Sequence, residues 1–100
     1  MLNPEEDLAR QLAARLAYPG ILAEMRFGDA VLAEIEAPES FAGRTLREID
    51  LRNRYGLTVL AVRSRGATRI NPGAADAPAS GDVLVLLGSP DAIRRVAALK

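Results

Sequence analysis

Gly43-Arg44-Thr45-Leu46-Arg47-Glu48-Ile49-Asp50-Leu51-Arg52-Asn53-Arg54-Tyr55-Gly56-Leu57-Thr58-Val59-Leu60-Ala61-Val62-Arg63 carries a helix, its stop and a strand in one unbroken stretch. Thr45 and Glu48 stand at the spacing where a hydroxyl and a carboxylate reciprocally satisfy the free amides of a helix start. Leu46, Ile49 and Leu51 supply an inward side, and Gly56 closes the helix as the residue that tolerates a positive φ. Leu57 to Arg63 is then apolar on both faces except at Thr58, which predicts a central strand covered on two sides.

Working towards the amino terminus, Ala30 to Glu36 sets Val31, Ala33 and Ile35 against Leu32, Glu34 and Glu36, the period of a half-buried strand, and Pro38 ends it. Asn3-Pro4-Glu5-Glu6-Asp7 reads as a helix start, with Asn3 as cap, Pro4 at the first helical position and three acids at the positive end of the macrodipole. Leu8, Leu12 and Leu16, beside Ala9, Ala13 and Ala17, form a tight apolar stripe before Pro19-Gly20 ends the helix. Ile21 to Phe27 is predicted as a short second helix with Ile21, Leu22 and Met25 inward, turned by Gly28-Asp29. Towards the carboxyl terminus, Arg65-Gly66 turns into a short strand around Thr68 to Asn71, and Pro72 to Gly81 is an aperiodic loop, mobile or ligand-facing. Val83 to Leu87 is a buried strand, and Ser89-Pro90 caps and opens a last helix with Ile93, Val96, Ala97 and Leu99 inward. The fold class is therefore α+β. An amino-terminal helical hairpin, residues 1–28, serves dimerisation through Leu8, Leu12 and Leu16, and a β-α-β-β-β-α lobe, residues 29–100, has a mostly antiparallel or mixed sheet.

With 49% apolar but only 4% aromatic residues, the core must be aliphatic. A chain of 100 residues makes one domain that hides roughly 60 to 70 per cent of its unfolded surface. The absence of Cys and His removes thiol nucleophiles, imidazole bases, disulfides and the usual zinc sites. Thirteen acids balance thirteen bases, yet residues 1–40 carry eight acids and three bases while 41–100 carry five and ten. An acidic amino-terminal hairpin thus faces a mildly basic body, which suits either an anionic ligand or the complementary surface of a second copy. No apolar run approaches the roughly 20 residues of a membrane span. With no signal-peptide pattern either, the expectation is a cytoplasmic chain with no direct membrane insertion.

Neither the phosphate-binding loop nor the dinucleotide glycine fingerprint occurs. The helix start at Gly88-Ser89-Pro90 reads as an anion site or, more simply, as a cap. Glu34 and Glu36 share one strand face and read as a solvated pair, and Ser40, Ser64, Ser80 and Ser89 have no base to activate them. No catalytic constellation and no required cofactor emerge. The informative group is Arg44, Arg47, Arg52 and Arg54 on or beside one short helix. Two readings stand for it: guanidinium forks for phosphate, or solvated arginines paired with Glu48, Asp50 or the acidic hairpin. Zero net charge and few stacking aromatics speak against nucleic acid.

The segment from Ala42 to Arg63, followed by Asn71-Pro72 and by Gly81-Asp82-Val83-Leu84-Val85-Leu86-Leu87-Gly88-Ser89, resembles the RCK C-terminal (TrkA-C) domain family in order across residues 29–98. Asn3 to Phe27 is similar to the crossover helix and short helix that precede the domain in longer members. The resemblance implies a homodimeric regulatory domain on the cytoplasmic side of a membrane-embedded potassium channel, potassium uptake system or cation/proton antiporter, in the same polypeptide or a separate subunit. It also implies a possible effector, cyclic di-AMP, in the cleft between two lobes. Its contacts would fall at Leu46, Arg47, Asp50, Leu51, Arg52, Thr58, Val59 and Pro72, with Arg52 facing phosphate, Leu46 and Leu51 packing on the bases, and Thr58 and Asp50 as polar contacts. The alternative is a purely structural dimerisation and coupling domain with no small-molecule ligand. The family's nucleotide-binding amino-terminal domain has no counterpart in this sequence, so the chain reads as a fragment or a minimal member.

Overall fold

The computed structural model describes residues 20–100. The expected helix with Leu8, Leu12 and Leu16 lies outside the described residues. Those described form an α+β unit whose sheet has five strands: β1 Ile21–Phe27, β2 Ala30–Glu36, β3 Thr58–Ser64, β4 Ala67–Ile70 and β5 Val83–Gly88, ordered β1-β2-β5-β3-β4. Every neighbouring pair is antiparallel. A 3-10 turn, Glu39–Phe41, and two short helices, α1 Leu46–Ile49 and α2 Leu51–Tyr55, lie between β2 and β3, and α3 Pro90–Ala97 closes the unit.

Ile21–Phe27 is a strand, not the second helix of a hairpin, so the sheet begins upstream of residue 29. A short apolar run does not distinguish the two states by periodicity. The pairing is decided by Gly28, which at φ 63° supplies the hand a two-residue hairpin loop requires and lets Phe27 sit opposite Ala30.

The predicted single helix over 45–56 is two. Residues two apart in a helix point about 200° away from each other at roughly 3.6 residues per turn, so Ile49 and Leu51 cannot both face inward from one helix. Asp50 resolves the conflict by turning left-handed, φ 53° and ψ 52°, after which both Ile49 and Leu51 are buried. The capping box forms as expected: the Thr45 amide donates to Glu48 Oε1 at 2.9 Å and the Glu48 amide to Thr45 Oγ1 at 3.2 Å. Gly56 ends α2 at φ 71°.

β3 is also not covered on both faces among the described residues; Thr58, Leu60 and Arg63 are exposed. A bulge between Val59 and Ala61 explains the misleading pattern. Val59 pairs with Leu86 and Val62 with Leu84, so the bulge at Leu60 restores two valines to the helix-facing side that strict alternation would have split. The core lies on that side, where Ile35, Leu57, Leu84, Leu86, Ile93 and Val96 are fully buried; each such aliphatic side chain stabilises by about 1.5–3 kcal/mol. α3 starts on Ser89, whose hydroxyl accepts the Ala92 amide at 3.1 Å, so the glycine-serine-proline start is a cap. On the opposite face Glu34 pairs with Arg63 at 2.9 Å across β5. Gly88 ends β5 where only hydrogen fits, since a Cβ there would stand 2.2 Å from Leu57 Cδ2.

Candidate functional site

The turn at Asp50 fixes the site. It sets α1 and α2 at an angle, and the concave side they share looks towards the start of β3 and the segment after β4. A cleft of about 400 Å³ lies there, lined by Leu46, Arg47, Asp50, Leu51, Arg52, Leu57, Thr58, Val59, Asn71, Pro72, Gly73 and Ala74. Leu46, Arg47, Asp50, Leu51, Arg52, Thr58, Val59 and Pro72, the eight residues expected to act together, therefore share one cleft. Its floor is apolar, from Leu51, Leu57 and Val59, and its rim carries two guanidinium groups and one carboxylate.

The polar groups are not equally available. Asp50 already accepts from Asn53 Nδ2 at 3.0 and 3.2 Å. Neither Arg47 nor Arg52 engages a carboxylate among the described residues. The amides at the start of α1 are all used: Leu46 N–H donates to the Asp76 carbonyl at 2.8 Å, Arg47 N–H to the Ala74 carbonyl at 3.0 Å, and Glu48 N–H to Thr45. An anion entering this cleft therefore finds no free amide at the start of α1, and the Arg47 and Arg52 side chains carry the positive charge it would meet. Glu48, outside the cleft, titrates below its usual value because it accepts from the Thr45 amide, then the Thr45 hydroxyl, with Arg44 adding a smaller push.

The arginine cluster seen in the sequence is divided. Arg47 and Arg52 line the cleft, whereas Arg44 and Arg54 line a separate cavity of about 210 Å³ with Ser40 and Tyr55. A third cavity, about 460 Å³, adjoins the cleft at Leu46 and is bounded by the β3–β4 hairpin and the loop through Asp76 and Asp82.

Residues 30–100 match the TrkA-C domain family. The chain belongs to that family. Among characterised TrkA-C relatives, it is 28% identical over 96 residues to the Ktr system potassium uptake protein C of Bacillus subtilis, covering 95% of this chain and 43% of that one. It is 33% identical over 104 residues to the K(+)/H(+) antiporter subunit KhtT of the same organism, covering 95% and 63%. The chain thus spans less than two thirds of either relative. Of solved structures, the RCK C domain of the potassium transport protein KtrA, in complex with cyclic di-AMP, superposes with a TM-score of 0.62 at 26% identity, over 64% of this chain and 75% of that one. The GsuK channel superposes at 0.68 and 27% identity, over 92% and 18%. TrkA-C domains regulate transport systems, and no helix among the described residues is long and apolar enough to cross a membrane.

Sequence reasoning missed four cleft residues: Leu57, which it read only as part of a strand, and Asn71, Gly73 and Ala74. The last three sit in a segment without periodicity, whose signals were the Asn-Pro pair, where Asn71 adopts φ 55°, and the loop after it, legible as mobile or ligand-facing but not residue by residue.

Proposed function

We propose that this chain is the ligand-sensing, dimerising lobe of a regulator acting on a potassium channel, potassium uptake system or cation/proton antiporter, and that its cleft takes cyclic di-AMP between two copies. The observation that carries the reading is the convergence of Arg47 and Arg52, both without an ion-pair partner among the described residues, on a cleft floored by Leu51, Leu57 and Val59. A guanidinium suits a phosphodiester, and the apolar walls of Leu46, Leu51 and Pro72 suit a purine face. Cyclic di-AMP is two-fold symmetric, with two phosphates and two bases. Two identical half-clefts related by a two-fold axis present the matching set. Binding then biases the arrangement of the pair to the extent that it favours one geometry over another, and that bias is what a transporter would sense. The Ktr and KhtT relatives support the reading, as does the KtrA C domain solved with this nucleotide.

Calorimetry with cyclic di-AMP tests it. The wild-type chain should bind one nucleotide per two chains, and Arg52→Ala should weaken binding by about ten- to a hundredfold, the worth of a hydrogen bond to a charged group. Absence of heat from the wild type at high micromolar nucleotide removes the ligand and leaves a lobe that only dimerises.

A further inference from the structure

We propose that Asp76 is the positioning residue of the cleft: it holds segment 71–76 in place as a wall joined to the start of α1. The value of that wall for binding rests on the reading that the cleft takes an anionic nucleotide.

Four of the cleft's residues, Asn71, Pro72, Gly73 and Ala74, belong to a segment with neither helix nor strand. Left to itself, such a segment samples many conformations, and a ligand that touches it must spend affinity to order it. Here a single residue ties it down from three sides, two through its carboxylate and one through its backbone carbonyl. Asp76 Oδ1 accepts from Arg69 Nη1 on β4 at 2.5 Å, and Oδ2 accepts from the Gly73 amide at 2.7 Å. The carbonyl of the same residue accepts the first amide of α1, and the Ala74 carbonyl accepts the second. Strand, turn and helix are thereby joined at one residue, and Pro72 and Arg47 line the same cleft.

Asp76 and Arg69 line the neighbouring cavity and not the cleft, so replacing either removes no group that a cleft ligand would touch. Arg69 is the exposed partner, its side chain 66% accessible against 31% for Asp76, and a surface ion pair of this kind contributes little to overall stability. Removing Asp76 takes away a negative charge near the cleft and removing Arg69 a positive one, so a weakening of anion binding common to both is an effect of wall order.

The test compares wild type with Asp76→Ala, Asp76→Asn and Arg69→Met in two measurements. The first is hydrogen exchange of the full chain without nucleotide. Asp76→Ala should speed exchange of the Leu46, Arg47 and Gly73 amides by about tenfold or more, while the Leu84 and Leu86 amides of β5 keep wild-type rates. Asp76→Asn, which retains an acceptor for Gly73, should fall between wild type and alanine. The second is calorimetry with cyclic di-AMP, where Asp76→Ala should weaken binding about tenfold with an unchanged thermal midpoint. Wild-type exchange at those amides in both Asp76→Ala and Arg69→Met overturns the proposal, as does wild-type affinity alongside faster exchange. If Asp76→Ala does not fold, the mostly exposed Arg69→Met decides. If the wild type itself binds no nucleotide, the proposed function fails, and the exchange measurement still decides whether Asp76 holds the wall.

Discussion

Thr45 and Glu48 show how much one pair of side chains settles. Each satisfies an amide that the helix start would otherwise leave open, and the bond from the Thr45 amide lowers the Glu48 pKa from its ordinary 4.5. The direction of that shift sets the sign of the linkage. A carboxylate held more acidic in the folded chain contributes stability that is present in full above 4.5 and is lost as pH falls through the lower folded value. The stability difference between wild type and Glu48→Gln should therefore shrink on acidification and vanish once both carry a neutral side chain, read by urea unfolding at a series of pH values. Thr45→Ala removes the cap itself and should lower stability by about 1 kcal/mol at neutral pH. A Thr45→Ala chain as stable as wild type would show that α1 is held only by its packing.

At the scale of elements, contacts between neighbours outweighed the local pattern wherever the two disagreed. The β2 alternation, the buried β5 run, the Ser89-Pro90 helix start and the Gly56 stop were all legible, because each rests on a rule internal to its own segment. β1 was read as helix because seven residues with Ile21, Leu22 and Met25 apolar fit either period, and only pairing with β2 decides between them. The Asp50 break was hidden for the opposite reason. The capping box and Gly56 bracket a plausible single helix, and the need to bury Ile49 and Leu51 together appears only against a core. The cleft was legible as far as side-chain chemistry marks it, at Leu46, Arg47, Asp50, Leu51, Arg52, Thr58, Val59 and Pro72. It was not legible where backbone carbonyls of 74 and 76 do the holding, since a carbonyl leaves no trace in residue type. Gly88 belongs to this scale too, as the point where the end of β5 meets the turn into β3. Gly88→Ala should lower stability by about 1–3 kcal/mol, as overpacking does, because Leu57 is 1% exposed and has nowhere to move. Denaturant midpoints check this, and a neutral outcome would mean that Leu57 repacks without penalty.

At the scale of the whole molecule, the described residues form a sheet with helices on one side. The other side carries Met25, 56% exposed, and Glu34 paired with Arg63, while Phe27 and Ile70 stand out near the two edges at 67% and 78%. If two copies complete the nucleotide site, association and ligand binding are linked, and each must strengthen the other by the same factor. Sedimentation equilibrium across a dilution series should show a reversible dimer whose apparent affinity rises with cyclic di-AMP. At 100 times the nucleotide's dissociation constant, the pair gains roughly 2.7 kcal/mol. A lone subunit at every dilution, with and without nucleotide, removes the two-copy site.

The carbonyls of residues 74 and 76 occupy the first amides of α1, and this has an evolutionary corollary. A phosphate pocket made of main chain is fixed by the fold and hard to retune. On the proposed reading, the start of α1 contributes no amide, and discrimination among anionic ligands would rest largely on replaceable side chains such as Arg47, Arg52 and Thr58. Under that reading, point substitutions at those side chains would reassign the effector while leaving the fold intact.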